Sequence, residues 1–284
     1  MKNIKPQKIL LAFVIMLCMN AEETGAQSMP GLYSIIKNQL QQNVKGKWES
    51  NGDGKTQSLN YYNSDYCAYT LTQENDGTYH VLRPGKNPMF TLKYGEDNPW
   101  KNPPTFRYWR GQFIKDFDIM TPYALPVKPG AKVKWEQDRR HRQKTMNFDM
   151  EAYDTVYAVR GGTVCVCSDD NALLIVHKDN TMSLYITLSD VFIYPGENIE
   201  VGQPVGLADY GGVDISWFFL DKNRFEGDVA KGWPYAHFIP YFSTSEGLVQ
   251  PEENKEYEAV MSDEVATLDM SKSAKKKYLK KKKK

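Results

Sequence analysis

The chain has 284 residues, enough for one large domain or two modest ones, and its 41% hydrophobic and 25% charged content excludes wholesale disorder. Aromatic residues make up 13% and lean toward strands, while four Cys and four His exclude a cysteine-rich zinc module or a disulfide-stapled miniprotein. The net charge of +1 hides a segregation: residues 27–270 hold 24 basic and 33 acidic residues, whereas 271–284 holds nine Lys and no acid. An acidic body argues against nucleic acid as a ligand.

The first 26 residues read as a secretory signal. Lys2, Lys5 and Lys8 precede an apolar run from Ile9 to Met19, and Thr24, Gly25 and Ala26 follow. Eleven apolar residues are too few to span a bilayer core of about 30 Å. Leu17 before Cys18 does not suit a lipid anchor. No later stretch is long and apolar enough for a transmembrane helix, so an exported protein is expected, in the periplasm, at the cell surface or secreted.

The expected organisation is mainly β: a smaller β-rich module at 27–115, an antiparallel β-sheet domain at 116–222, a β/loop extension at 223–260 and a disordered tail at 261–284 with its poly-Lys end. Leu32, Ile35, Ile36 and Leu40 place a short amphipathic helix in 30–44. Strands Ser58–Tyr62, Tyr66–Gln73, Thr78–Arg83 and Phe90–Tyr94 then alternate with turns at Asn51-Gly52, Asp53-Gly54, Asp76-Gly77 and Pro84-Gly85. Asp76-Gly77 predicts a hairpin. Residues 98–106 read as a Pro-rich linker, and the cations from Arg139 to Lys144 as a solvated loop.

From Met146 to Leu220, seven short β-branched or aromatic runs are separated by turns such as Gly161-Gly162, Lys178-Asp179-Asn180, Pro195-Gly196 and Gly211-Gly212, which predicts antiparallel strands. Cys165 and Cys167 share one face of such a strand. Sequence leaves open whether Cys67 pairs with either.

The order of these pieces resembles the lysostaphin-like (LytM-type) zinc metallopeptidase family. Ile193-x-x-Gly196-x-x-Ile199-x-x-Gly202-Gln203-Pro204-Val205-Gly206 is similar to that family's V-x-x-G-x-x-V-x-x-G-Q-x-I-G run. Thr155–Ala158 with Gly162–Val164, Ile175–Asp179, and Ser183–Ser189 resemble three further family segments in the same order. The resemblance implies an antiparallel sheet of the duplicated hybrid type and, in active members, a zinc held by the His and Asp of H-x-x-x-D and the second His of H-x-H. A His in Y-x-H-L-S and the first His of H-x-H assist.

This sequence departs from that pattern at the chemistry. Thr145 and Asp149 stand at the H-x-x-x-D positions, Thr187 at the Y-x-H-L-S histidine, and Asp214 and Ser216 at the two histidines of H-x-H. A single carboxylate without imidazole partners is a poor zinc site. His177 falls on a family position that is not a ligand, and His80, His141 and His237 fall outside the ligand positions. The expectation is therefore a pseudo-peptidase with no catalytic residues, no metal and no cofactor. Its old groove, carrying Thr145, Asp149, Thr187, Asp214 and Ser216, should persist as a polar cleft. The expected role is binding or regulation in the bacterial cell envelope, with a wall peptide or an envelope protein as partner. The lysine tail offers peripheral contact with an anionic surface. An active metallopeptidase with atypical ligands, or a structural or adhesion protein, are the alternatives.

Overall fold

A computed structural model describes residues 43–73, 77–99, 106–137, 144–167, 171–227 and 233–282. The expected signal at 1–26, nearly all of the 30–44 helix, His141 and most of the basic stretch lie outside the described residues.

The amino-terminal module is two three-stranded antiparallel sheets. One has the order β1-β2-β5, formed by β1 (Val44–Ser50), β2 (Thr56–Asn63) and β5 (Gly85–Lys93). The other is β4-β3-β6, formed by β3 (Tyr69–Gln73), β4 (Tyr79–Leu82) and β6 (Phe106–Arg110). β3 and β4 pair antiparallel, as the expected hairpin requires, while Asp76 lies outside the described residues. Asp53 closes the β1–β2 turn by accepting from the backbone N–H groups of Lys55 and Thr56. Pro88 has no N–H for the ladder and falls where the β2–β5 register shifts. β6 begins at the end of the expected linker.

The following strands are short: β7 (Pro122–Tyr123), β8 (Lys132–Val133), β9 (Trp135–Gln137), β10 (Thr145–Phe148), β11 (Thr155–Tyr157), β12 (Gly162–Cys165), β13 (Leu173–Val176), β14 (Met182–Ile186), β15 (Leu188–Val191), β16 (Asn198–Ile199), β17 (Pro204–Ala208) and β18 (Val213–Leu220). The principal sheet runs β16-β12-β13-β14-β18-β10-β9. A second sheet, β11-β17-β15, holds the turn-rich segment. Two glycines there permit no side chain. A Cβ on Gly206 would stand 2.4 Å from the Asp190 carbonyl oxygen, and one on Gly212, at φ +81°, would stand 2.2 Å from that of Phe148.

Short helix α1 (Lys222–Glu226) leads into β19 (Tyr235–Phe238), which pairs with the second half of β18. The extension thus lengthens the principal sheet. β20 (Tyr241–Thr244) lies between β7 and β21 (Gly247–Val249), its pairing with β7 being parallel, and β22 (Tyr257–Glu258) pairs with β8.

The expectation of a disordered tail is corrected. Residues 263–267 form α2 (Asp263–Thr267), capped by Ser262, and 272–282 form α3 (Lys272–Lys282). Val265 and Ala266 are buried, and Asp269 grips Arg160 through two hydrogen bonds of 2.9 and 3.0 Å. A fork-on-carboxylate pair of this kind fixes position as well as charge. Composition alone hid it, because the partner lies 109 residues upstream.

The principal sheet is buried on both faces. Ile175, Tyr185, Val213, Ile215 and Trp217 pack on one side with Phe148, Val205 and Phe242. Leu174, Met182, Leu184, Ile186 and Phe218 pack on the other with Leu59, Tyr61, Tyr69, Leu71 and Trp109 of the amino-terminal module. Sheets covered on both faces carry continuous apolar runs, as Leu173–Val176 does.

Candidate functional site: a covered groove

Three of the five groove positions lie on paired strands. β10 and β18 run antiparallel, so Thr145 lies opposite Ser216 and Asn147 opposite Asp214. β14 flanks β18 on its other side, and Thr187 follows it directly. Alternation turns Thr145, Asp214 and Ser216 away from Met146, Ile215 and Trp217, as their order on the strands requires.

The geometry corrects the expectation of an open cleft. Thr145, Asp214 and Ser216 are each 0% exposed. The sheet face that carries them is the one on which the amino-terminal module packs: Leu184, cross-strand from Ser216, belongs to the same apolar cluster as Leu71 and Trp109. Thr145 Oγ1 finds no hydrogen-bond partner among the described residues. Asp214 Oδ1 accepts from Asn147 Nδ2 at 2.8 Å, and the Asp214 N–H donates to Thr187 Oγ1 at 3.3 Å.

Thr187 is strained, with φ at +61°. A β-branched residue in that region is a genuine outlier. The strain falls between β14 and β15, where the chain leaves one sheet for the other.

Asp149 stands apart from the other four. It is exposed, and its carboxylate pairs with Lys134 Nζ at 2.9 Å. It borders a cavity of 260 Å³ lined by Asn147, Trp135, Tyr210, Gly211 and Asn254. Among the five groove positions Thr187 is partly exposed, and Asp149 is the exposed one. Beside it, Tyr210 and Tyr153 meet edge to face with centroids 5.8 Å apart, and both are well exposed.

One residue near the site was not legible in the sequence. His237, on β19, reaches Ser216, with Nδ1 3.2 Å from Ser216 Oγ. Trp233 Nε1 donates to His237 Nε2 at 2.8 Å. Because that nitrogen must accept, Nδ1 carries the proton of the neutral ring and donates to Ser216. The imidazole therefore cannot take a proton from Ser216, and neither nitrogen has a lone pair free for a metal. Burial, with Arg224 and Lys144 nearby, pushes the His237 pKa down to about 3. The pairing of β19 with β18, which brings it there, leaves no local signal.

His177 is buried and equally committed. Its Nδ1 donates to the Gly161 carbonyl at 2.8 Å, and its Nε2 accepts from Ser183 Oγ at 2.7 Å. Desolvation and the nearby Arg160 cation push its pKa to about 3.

Zinc needs three protein ligands converging at about 2 Å, with deprotonated or neutral-imidazole donors. The positions that would supply them hold two buried neutral hydroxyls and a carboxylate committed to a lysine, so these residues do not fit the metal.

A mainly antiparallel β domain whose turn-rich sheet and principal sheet are built around these positions defines the class. Residues 141–213 match the family model described as Peptidase family M23. The lysostaphin-like resemblance of this domain is thereby upheld. Among solved structures, the chain is similar to pseudoalterin, an M23 metalloprotease from the deep sea, at 10% identity, covering 50% of this chain and 96% of that one with a TM-score of 0.35. It is also similar to the catalytic domain of lysostaphin from Staphylococcus simulans, at 16% identity, 33% and 80% coverage and a TM-score of 0.26. A putative M23 peptidase from Pseudomonas aeruginosa gives 12% identity, 62% and 81% coverage and a TM-score of 0.28. No curated protein matches the chain. The assignment of the domain rests on the family match and the turn residues, not on these distant superpositions.

Proposed function

We propose that this is an exported, non-catalytic protein of the M23 fold that acts by binding in the bacterial cell envelope. The carrying observation is the pairing of Thr145 with Ser216 at two positions where active members place zinc-binding imidazoles, both fully buried on the sheet face whose apolar cluster includes the amino-terminal module. Hydrolysis at this place would need a metal or a general base open to substrate. Among the described residues, His237 reaches Ser216, and it has both nitrogens engaged.

What remains available for a partner is the open Asp149 end with the exposed Tyr153–Tyr210 pair. Two tyrosine rings beside a small polar cavity suit a peptide strand with polar side groups, such as a wall peptide or an extended segment of an envelope protein. The test is incubation of the full chain with purified wall material in the presence of added zinc. Sedimentation with the wall, weakened severalfold by Tyr210→Ala and unaccompanied by soluble fragments, is the expected result. Release of peptide fragments that stops on Asp149→Ala would overturn the reading.

A further inference from the structure

We infer that Cys67 and Cys165, and not Cys167, form a disulfide that fastens the amino-terminal module onto the principal sheet. Cys67 lies between β2 and β3, and Cys165 ends β12, 98 residues later. Both are buried, and the two sulfurs and the Asp65 carboxylate all lie within 4.8 Å of one another. Cys167 is not part of that group.

The surrounding network holds both backbones in place. Asp65 Oδ1 accepts from the Val166 N–H at 2.9 Å, and Asp65 Oδ2 pairs with Arg110 Nη2 at 2.9 Å. That same Nη2 donates to the Val166 carbonyl at 2.8 Å. Tyr69 adds a hydrogen bond to Asp65 at 2.9 Å. The residue after Cys165 is thus tied to the residue two before Cys67, and the thiols have little freedom to part. The same network argues against a metal on Asp65, Cys67 and Cys165, because the Arg110 guanidinium already satisfies the carboxylate and would repel a cation.

The reaction is thiol–disulfide exchange with a small disulfide or a disulfide-bearing oxidoreductase as oxidant. One cysteine thiolate attacks the donor disulfide and expels one thiol. The second thiolate then attacks the mixed disulfide and expels the other. Cys67 and Cys165 together lose two protons and two electrons, and the donor is reduced to two thiols. Burial and the neighbouring Cys165 and Asp65 push the folded Cys67 thiol well up, so the exchange belongs to the folding chain, before the site closes.

The test is a peptide map of the full chain refolded from denaturant in a buffer of reduced and oxidised glutathione, with free thiols alkylated in acid-quenched samples. The expected result is one Cys67–Cys165 peptide, two hydrogens lighter than its reduced parts, with Cys18 and Cys167 alkylated. The Cys167→Ser variant should keep the link. Oxidised protein should melt higher than reduced protein by on the order of 5 °C. Alkylated Cys67 in refolded wild-type protein, a Cys67–Cys167 link, or unlinked thiols protected by a stoichiometric metal would each overturn the inference. A link that leaves the melting temperature unchanged would overturn its fastening role. The wild-type map decides even where a cysteine variant does not fold.

Discussion

Lowering the pH from 7 to 5 should destabilise the protein, because His177 and His237 are held neutral. Each has a folded pKa of about 3, well below the ordinary 6.5 of a histidine. Below pH 6.5 the unfolded chain takes up a proton at each ring that the folded chain refuses. A depressed histidine therefore loses stability as pH falls, over a window from about 6.5 down to about 3, at up to ~1.4 kcal/mol per pH unit for each ring. For His177, fully enclosed between Gly161 and Ser183, the loss between pH 7 and 5 comes to about 2 kcal/mol. His237, whose ring is partly exposed, adds less. The assay is urea denaturation followed by tryptophan fluorescence at half-unit steps from pH 7 to 5, in wild type and in His177→Gln. Wild type should lose roughly 2–4 kcal/mol across the window, and the variant, although less stable throughout, should lose about 2 kcal/mol less. A flat profile in wild type, or an identical slope in the variant, would show that these rings are hydrated or charged and would refute their assignment as neutral structural residues.

Two further outcomes follow from the geometry. Asp269→Ala removes two charge-assisted hydrogen bonds from buried Arg160, which keeps Asp179 at 2.7 Å; global stability should fall by about 2 kcal/mol, and limited proteolysis should cut between 262 and 282, whereas a resistant tail would mean that α2 docks through Val265 and Ala266 alone. Thr187→Asn relieves a β-branched side chain at φ +61° and should stabilise the fold by on the order of 1 kcal/mol in the same urea assay; a loss would show that the hydroxyl's contact with the Asp214 N–H outweighs the strain.

The turn chemistry was the most legible part of this chain, because it is local. Gly196 and Gly212 take positive φ where the sequence placed turns, and strands β12, β13, β14 and β18 fall inside the stretch from Met146 to Leu220 where short strands were expected, with β10 starting one residue before it. Alternation likewise sorted Thr145, Asp214 and Ser216 from Met146, Ile215 and Trp217. What alternation cannot tell is what lies above a face. A polar residue on a strand looks the same whether water or another module lies over its face, and the apolar cluster of this face includes Leu59, Leu71 and Trp109, far away in sequence. The apolar run Leu173–Val176 was the one available hint of burial on both faces. The approach of His237 to Ser216 and the clasp of Asp269 on Arg160 depend on pairings across 21 and 109 residues, which no window of sequence reports. The lysine-rich end misled in the opposite sense: its composition dominates 271–284 and masked the small apolar docking helix α2 just before it.

The central claim is that the M23 ligand positions of this chain cannot hold a catalytic metal. Its most direct test is the zinc content of the purified full chain, measured by inductively coupled plasma mass spectrometry after dialysis against buffer containing micromolar zinc. The account predicts well under one tenth of an equivalent per chain, unchanged in Asp149→Ala and Ser216→Ala. One equivalent of zinc that either substitution abolishes would contradict it.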